Sequence, residues 1–145
     1  MATSGKTIGK SLQFTLDLTG GATPTDISSY VRSVTGLPGE KDLADVTAGG
    51  ATGYSYIPGL QKCDFSIEFV FDDTSATSAY NIVKNFMADT TTRSFVFGPA
   101  GSTTGYAKIS GECWLKKLSL PAKVTDALIC TLDCTVDGAI TIGVY

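Results

Sequence analysis

Four thiols and a few closely spaced carboxylates are the groups in this sequence best suited to chemistry, and histidine, their usual activator, is absent. Cys63, Cys113, Cys130 and Cys134 lack the paired two-residue spacings of zinc sites and thioredoxin-like motifs. Each falls on the apolar row of an alternating segment, beside residues such as Phe65, Ile109 and Leu132, where a reduced thiol behaves as a small hydrophobe. Core filling is therefore expected. Cys130 and Cys134 cannot bridge each other, because four residues of strand span about 13 Å and disulfide Cα atoms lie at most about 7 Å apart. A cross-strand bridge such as Cys113 with Cys130 is geometrically open, but an intracellular setting disfavours it. Cys63 as a nucleophile lacks a base.

Asp72 with Asp73, and Asp133 with Asp137, could be read as acid/base or metal pairs, yet they sit at strand ends or on polar faces without further ligands. Capping and solubility account for them better. Ser4-Gly5-Lys6-Thr7 looks like the end of a phosphate-binding loop, but the glycine that motif needs five positions before Gly5 is missing. Trp114 and Tyr106, of like parity in one strand region, could act as sugar platforms; a tryptophan packed on a neighbouring subunit is the commoner outcome. The expectation is no catalytic residue, no metal, no cofactor and no enzyme.

These residues are positioned by period-two alternation, which dominates the chain. Leu12 to Leu18 reads as a strand broken by Gly20 and Gly21, and Ile27 to Thr35 as a second β-rich run. Lys62 to Phe71 is the cleanest strand: Cys63, Phe65, Ile67, Phe69 and Phe71 face one way, Asp64, Ser66 and Glu68 the other. Ala76, Ala79, Tyr80, Val83, Phe86 and Met87 recur at three and four residues, which predicts a helix over Ser75–Ala88 capped from Asp72, Asp73, Thr74 or Ser75. A short strand around Phe95–Phe97, a loop from Pro99 to Gly105, and strands Tyr106–Leu118 and Leu128–Val136 follow. Gly138 is expected to turn the chain into a last strand, Ala139–Val144. The fold class is mainly β, a sandwich or barrel with one flanking helix.

At 145 residues the chain suits a single domain, and 43% hydrophobic against 17% charged residues is enough for a core and too apolar for disorder. A net charge of -3 provides no basic footprint for gripping nucleic acid. No run of about 18 apolar residues or secretory leader is evident, so a soluble protein made inside a cell, without a membrane partner, is expected.

The stretch Gly36 to Pro58 is the main anomaly. More than twenty residues without core periodicity make a long connection for a β domain. It has a β-compatible centre, Asp45-Val46-Thr47, then Gly49 and Gly50, then Tyr54, Tyr56 and Ile57. That composition suits a hairpin arm ordered against a neighbour, with Asp45, Val46, Thr47, Tyr54, Tyr56 and Ile57 as contacts; a loop folded over its own sheet fits it as well. Residues 1–10 likewise read as an arm.

Asp26-Ile27-Ser28-Ser29-Tyr30-Val31, then Asp45-Val46-Thr47 with its glycines, Ile57-Pro58-Gly59-Leu60, and Asp64-Phe65-Ser66-Ile67-Glu68 ending in Phe71-Asp72 resemble the major tail (tail-tube) proteins of long-tailed bacteriophages, from about Leu12 to the C-terminus. The resemblance implies hexameric rings stacked as a hollow tube that conducts DNA during infection, made in the host cytoplasm and located in the virion. It implies contacts with tape-measure, tail-terminator and tail-tip proteins. On it, residues 36–58 reach the adjacent subunit or ring, the N-terminal arm and C-terminal strand are further contacts, and the helix lies outside. A head-decoration or head-to-tail joining protein of related fold is the alternative, and a carbohydrate-binding sandwich a third.

Six subunits giving four strands each, at about 4.8 Å spacing and roughly 40° tilt, would close a barrel about 50 Å across, or roughly 35 to 40 Å inside its side chains. Duplex DNA passes such a bore. Its wall should be weakly acidic and hydroxylated, since lysine and arginine contacts to phosphate would retard passage. The rows Asp64/Ser66/Glu68, Thr131/Asp133/Thr135 and Gln13/Thr15/Asp17 have that chemistry, and at least one is expected to face the lumen; an ordinary solvated sheet face has it too.

Overall fold

Alternation is strictest in strand β6 (Asp64–Val70), where Phe65, Ile67 and Phe69 are buried while Asp64, Glu68 and Val70 are exposed. The structure, a computed structural model, describes residues 11–17, 24–121, 124 and 127–145. The expected N-terminal arm and the Gly20–Gly21 break lie outside the described residues. Preceding β6 are β1 (Gln13–Asp17), β2 (Pro24–Asp26), β3 (Val31–Thr35), β4 (Glu40–Asp45) and β5 (Tyr56–Lys62). After it come helix α1 (Ala79–Val83), a 3-10 turn at Phe86–Ala88, and β7 (Arg93–Gly98), β8 (Ala107–Ser119) and β9 (Ile129–Val144).

Among the described residues seven strands form one antiparallel sheet in the order β2-β1-β7-β8-β9-β6-β3, and β4 pairs only with β5. The edge strands β2 and β3 are joined directly through Ile27–Tyr30. Laid flat, six strand spacings would hold those edges about 29 Å apart. The five residue steps from Asp26 to Val31 reach at most about 18 Å. The sheet therefore curls until its edges approach, as a barrel does. The rings agree: Phe65 on β6 and Phe95 on β7 lie three strands apart in the sheet, yet their centroids are 5.0 Å apart.

Inside the curl lie Phe14, Leu16, Phe65, Ile67, Phe69, Phe95 and Leu132, with all four cysteines buried and free. Each such aromatic or aliphatic side chain contributes about 1.5 to 3 kcal/mol by leaving water. Burial raises the thiol pKa values of Cys63 and Cys130. Cys134 is raised by a hydrogen bond with Cys113 and then by burial. Register sets Cys134 opposite Phe65 and Leu115, next to Cys113, whereas Cys130 lies opposite Phe69. The neighbour of Cys113 is thus Cys134, not Cys130.

Three expected elements differ. The run Ile27–Thr35 is no single strand, because Ile27 bonds back to Phe14 O and the chain turns at Tyr30 before β3. The helix shrinks from Ser75–Ala88 to Ala79–Val83: Ser78 caps it by accepting from Asn81 N at 3.3 Å, while Asp72 instead closes a turn with Thr74 N at 2.9 Å. Ala79, Ile82, Val83 and Phe86 are buried, but Ala76 and Met87 are exposed. Gly138 starts no new strand. With φ +82 it sits in a bulge, where β8 advances from Glu112 to Ser110 while β9 advances from Asp137 to Thr141.

Candidate functional site

Two glycines decide how residues 36–62 leave the sheet. Gly36 and Gly39 have φ of +101 and +98. A Cβ on Gly36 would collide with Asp64 O, and one on Gly39 would come within 2.6 Å of Lys62 O. The chain can thus cross the start of β6 at close range and run out as the β4–β5 hairpin. Every residue of both strands is exposed. Of the two readings of 36–58, a hairpin arm or a loop over its own sheet, the structure has the two-stranded arm, extending through Lys62.

Local bonds hold its tip. Thr47 N donates to Asp45 Oδ1 at 2.9 Å, Ser55 N donates to Thr47 Oγ1 at 2.8 Å, and Val46 N donates to Ser55 O at 2.9 Å. The Thr47 hydroxyl and then its amide hold the Asp45 carboxyl below its ordinary pKa. At the root Lys62 Nζ lies 3.5 Å from Glu40 and 3.8 Å from Asp42, and the charges of Asp42 and Glu40 raise its pKa. Of the six residues expected to touch a neighbour, Asp45 and Thr47 are therefore part of the tip's own scaffold. The other four, Val46, Tyr54, Tyr56 and Ile57, are large exposed apolar groups, with Tyr54 78% exposed.

Register sorts the arm into two faces. Leu43 lies opposite Pro58 and Asp45 opposite Tyr56, so Leu43, Tyr56 and Pro58 share one face; Ala44 and Ile57 share the other. The rings of Tyr54 and Tyr56 are 6.5 Å apart. Leu43 and Leu60 are also more than half exposed. Neither was among the expected contacts, because an apolar residue on a hairpin that packs on nothing has no periodic signature.

The two polar rows on β6 and β9 come together. Asp64 faces Thr135, Ser66 faces Asp133, and Glu68 faces Thr131, on the side of the sheet turned away from the core. Ser66 Oγ donates to Asp133 Oδ1 at 2.7 Å, and Thr135 Oγ1 donates to Asp64 Oδ1. β3 continues the hydroxylated surface with Ser33 and Thr35 opposite Glu68 and Ser66. β8 brings Lys117 opposite Asp133, and Lys116 Nζ lies 3.9 Å from Asp64 Oδ1. The face is thus mixed, carboxylates and hydroxyls with two ammonium groups beside them. The third row loses its carboxylate: Asp17 is buried and accepts from Ser94 N at 3.1 Å, leaving Gln13 and Thr15 half-buried on their face.

The remaining candidates separate. Trp114 and Tyr106 are partly exposed but eight residues apart along one strand direction, about 26 Å, too far to form one sugar platform. Asp137 lies opposite Glu112 rather than beside Asp133. Among the described residues no group of three or more Cys, Asp or Glu side chains is placed to hold a metal ion, and no helix is long and apolar enough to cross a membrane.

Comparison with solved structures places this architecture. No family model matches the sequence, and no curated protein matches it. The chain is similar to one from the tail of an empty gene transfer agent particle with C6 symmetry, with a TM-score of 0.72, 18% identity, and coverage of 95% of this chain and 99% of that one. It is similar to a chain of the SPP1 tail tube, with a TM-score of 0.74, 10% identity, and coverage of 97% and 80%. It is also similar to a chain of the extended sheath-tube complex of an extracellular contractile injection system, with a TM-score of 0.69, 10% identity, and coverage of 98% and 94%. The protein has the tail-tube fold.

Proposed function

We propose that this chain is a tail-tube subunit: a single structural domain that forms hexameric rings, stacked into a hollow conduit for DNA, with no catalytic role and no cofactor. The observation that carries this reading is the exposed hairpin. An isolated two-stranded arm is marginal in water, and this one displays tyrosine, leucine and isoleucine on surfaces that its own sheet leaves uncovered. Such an arm is a natural contact to an adjacent subunit or ring. The C6 symmetry of the gene transfer agent tail supports the hexamer. The tail-tube fold supports a place in a virion tail, with the host cytoplasm as the site of synthesis and tape-measure, terminator and tip proteins as partners.

On this reading β3, β6, β9 and β8 supply four strands per subunit to the inner barrel, and Asp64, Ser66, Glu68, Thr131, Asp133 and Thr135 line the bore. Around these six residues the patch holds three carboxylates (Asp64, Glu68, Asp133) and two ammonium groups (Lys116, Lys117), and Arg32 on β3 and the facing pair Glu112 and Asp137 on β8 and β9 carry further charge on these strands. The surplus keeps phosphate from settling while the paired lysines limit repulsion of the passing duplex. Negative-stain microscopy of the purified protein tests the assembly. Rings or tubes are the expected result, and a monomer that persists at high concentration with a tail-tip initiator overturns it. A joining or terminating component is the second reading, favoured by a TM-score of 0.70 to a chain of a sheath/tube terminator. Antibody labelling along the whole tail or at one junction separates the two.

A further inference from the structure

The tube reading leaves the seat of the arm unassigned, and the inference here rests on that reading. We propose that the groove between the hairpin root and the far half of β9 receives the hairpin tip of a second copy of this chain. The ladder between β6 and β9 ends at Asp64 opposite Thr135, closed by Val136 N donating to Cys63 O. Beyond that point, among the described residues, β9 has β8 alone as a ladder partner. One backbone edge from Asp137 to Val144 is left open, and an open edge accepts a strand.

Beside this edge lies a groove of about 220 Å³, walled by Val136, Ile140 and Ile142 on one side and by Pro38, Gln61 and Lys62 on the other. Ile142 and Val144 are 67% and 64% exposed. The tip has complementary chemistry: Val46, Tyr54, Tyr56 and Ile57 are exposed, and residues 43–61 contain Asp45 and no lysine or arginine. The groove rim carries Lys41 beside Lys62 and Glu40, which pair with each other at 3.5 Å, and Lys108 stands opposite Gly143.

The arm's own tip does not fill this groove. The recess lies at the root, and the ladder from Lys41 to Asp45 carries the chain about 13 Å outward before the turn that forms the tip. A protrusion and a matching recess on one chain make a heterologous contact, which closes into a ring or continues as a helical stack.

Cysteine cross-linking tests the seat. In the variant Tyr54→Cys with Ile142→Cys, mild oxidation should yield dimers and higher multiples on a non-reducing gel, and neither single variant should, since the four native thiols are buried. Tubes that form without this cross-link overturn the seat and leave the tube reading standing. A cross-link without rings or tubes supports the seat and overturns the tube reading. Absence of both overturns both. Independently, Ile142→Asp should lower the assembled fraction at least about tenfold, as expected for a central apolar contact, with circular dichroism unchanged because the side chain is exposed. Unimpaired assembly of Ile142→Asp overturns the seat.

Discussion

Arg93 has 1% exposure, and each of its three guanidinium nitrogens finds an acceptor inside the protein. Nε and Nη2 donate to the two oxygens of Asp89 at 2.8 and 3.1 Å, and Nη1 donates to Ile82 O at 2.8 Å and Asp17 O at 3.3 Å. One side chain thereby ties the helical turn to β1 and β7. Arg93→Met should destabilise the fold by about 3 to 5 kcal/mol, because it strands the largely buried Asp89 carboxylate; urea unfolding below the assembly concentration measures it. Nothing around Arg93 in the sequence marked it, since its partners lie on three elements. A second effect concerns acid. Burial pushes the Asp26 carboxyl upward, but the Ser28 hydroxyl, the Ser28 amide at 2.9 Å and Gln13 together hold it below its usual 3.8. A depressed carboxylate stabilises the folded state above the unfolded pKa, and that stability is lost as pH falls through the folded value. Ser28→Ala should therefore narrow the difference in stability between pH 6 and pH 3, followed by thermal melts.

At the scale of elements the arm is the distinctive part. Its two strands contribute nothing to the core, so removing the tip should not unfold the sheet. Deleting Ala48 to Tyr56 is expected to give a folded monomer that sediments as a single species and fails to polymerise; normal tube yield would remove the arm from assembly. The sequence marked this stretch by what it lacked, core periodicity, but could not distinguish a projecting hairpin from a loop laid over its own sheet. Two positive-φ glycines packed against Asp64 and Lys62 settle that difference, through contacts of high sequence separation. The helix was overread for the opposite reason. Residues Ala76 and Met87 match a helical spacing by composition, yet local hydrogen bonds from Asp72, Ser75 and Ser78 divert the backbone into turns before Ala79.

For the whole molecule, the proposed tube turns on which face of the curled sheet would meet its bore. Asp64→Lys with Glu68→Lys replaces two carboxylates on the face shared with Asp133 and adds to Lys116 and Lys117, converting a slight negative surplus into a strongly basic wall. Tubes should still assemble, because these side chains are exposed and the core beneath is untouched, but DNA delivery by the reconstituted tail should fall at least about tenfold as phosphates are retained. Unchanged delivery places the row elsewhere.

Alternation of Phe65, Ile67 and Phe69 with Asp64, Ser66 and Glu68, and of Cys130, Leu132 and Cys134 with Thr131, Asp133 and Thr135, determined strand identity, facing and the burial of the thiols, because a pleat sends neighbouring side chains to opposite sides whatever the partner strand. Periodicity carries no information on register or curvature. Only the tertiary structure could set Asp64 against Thr135, bury Asp17 beneath Ser94, bring Lys116 beside an acidic row, and curl the sheet until its two edges approach. Those outcomes depend on pairings between residues up to 77 positions apart, which no local pattern encodes.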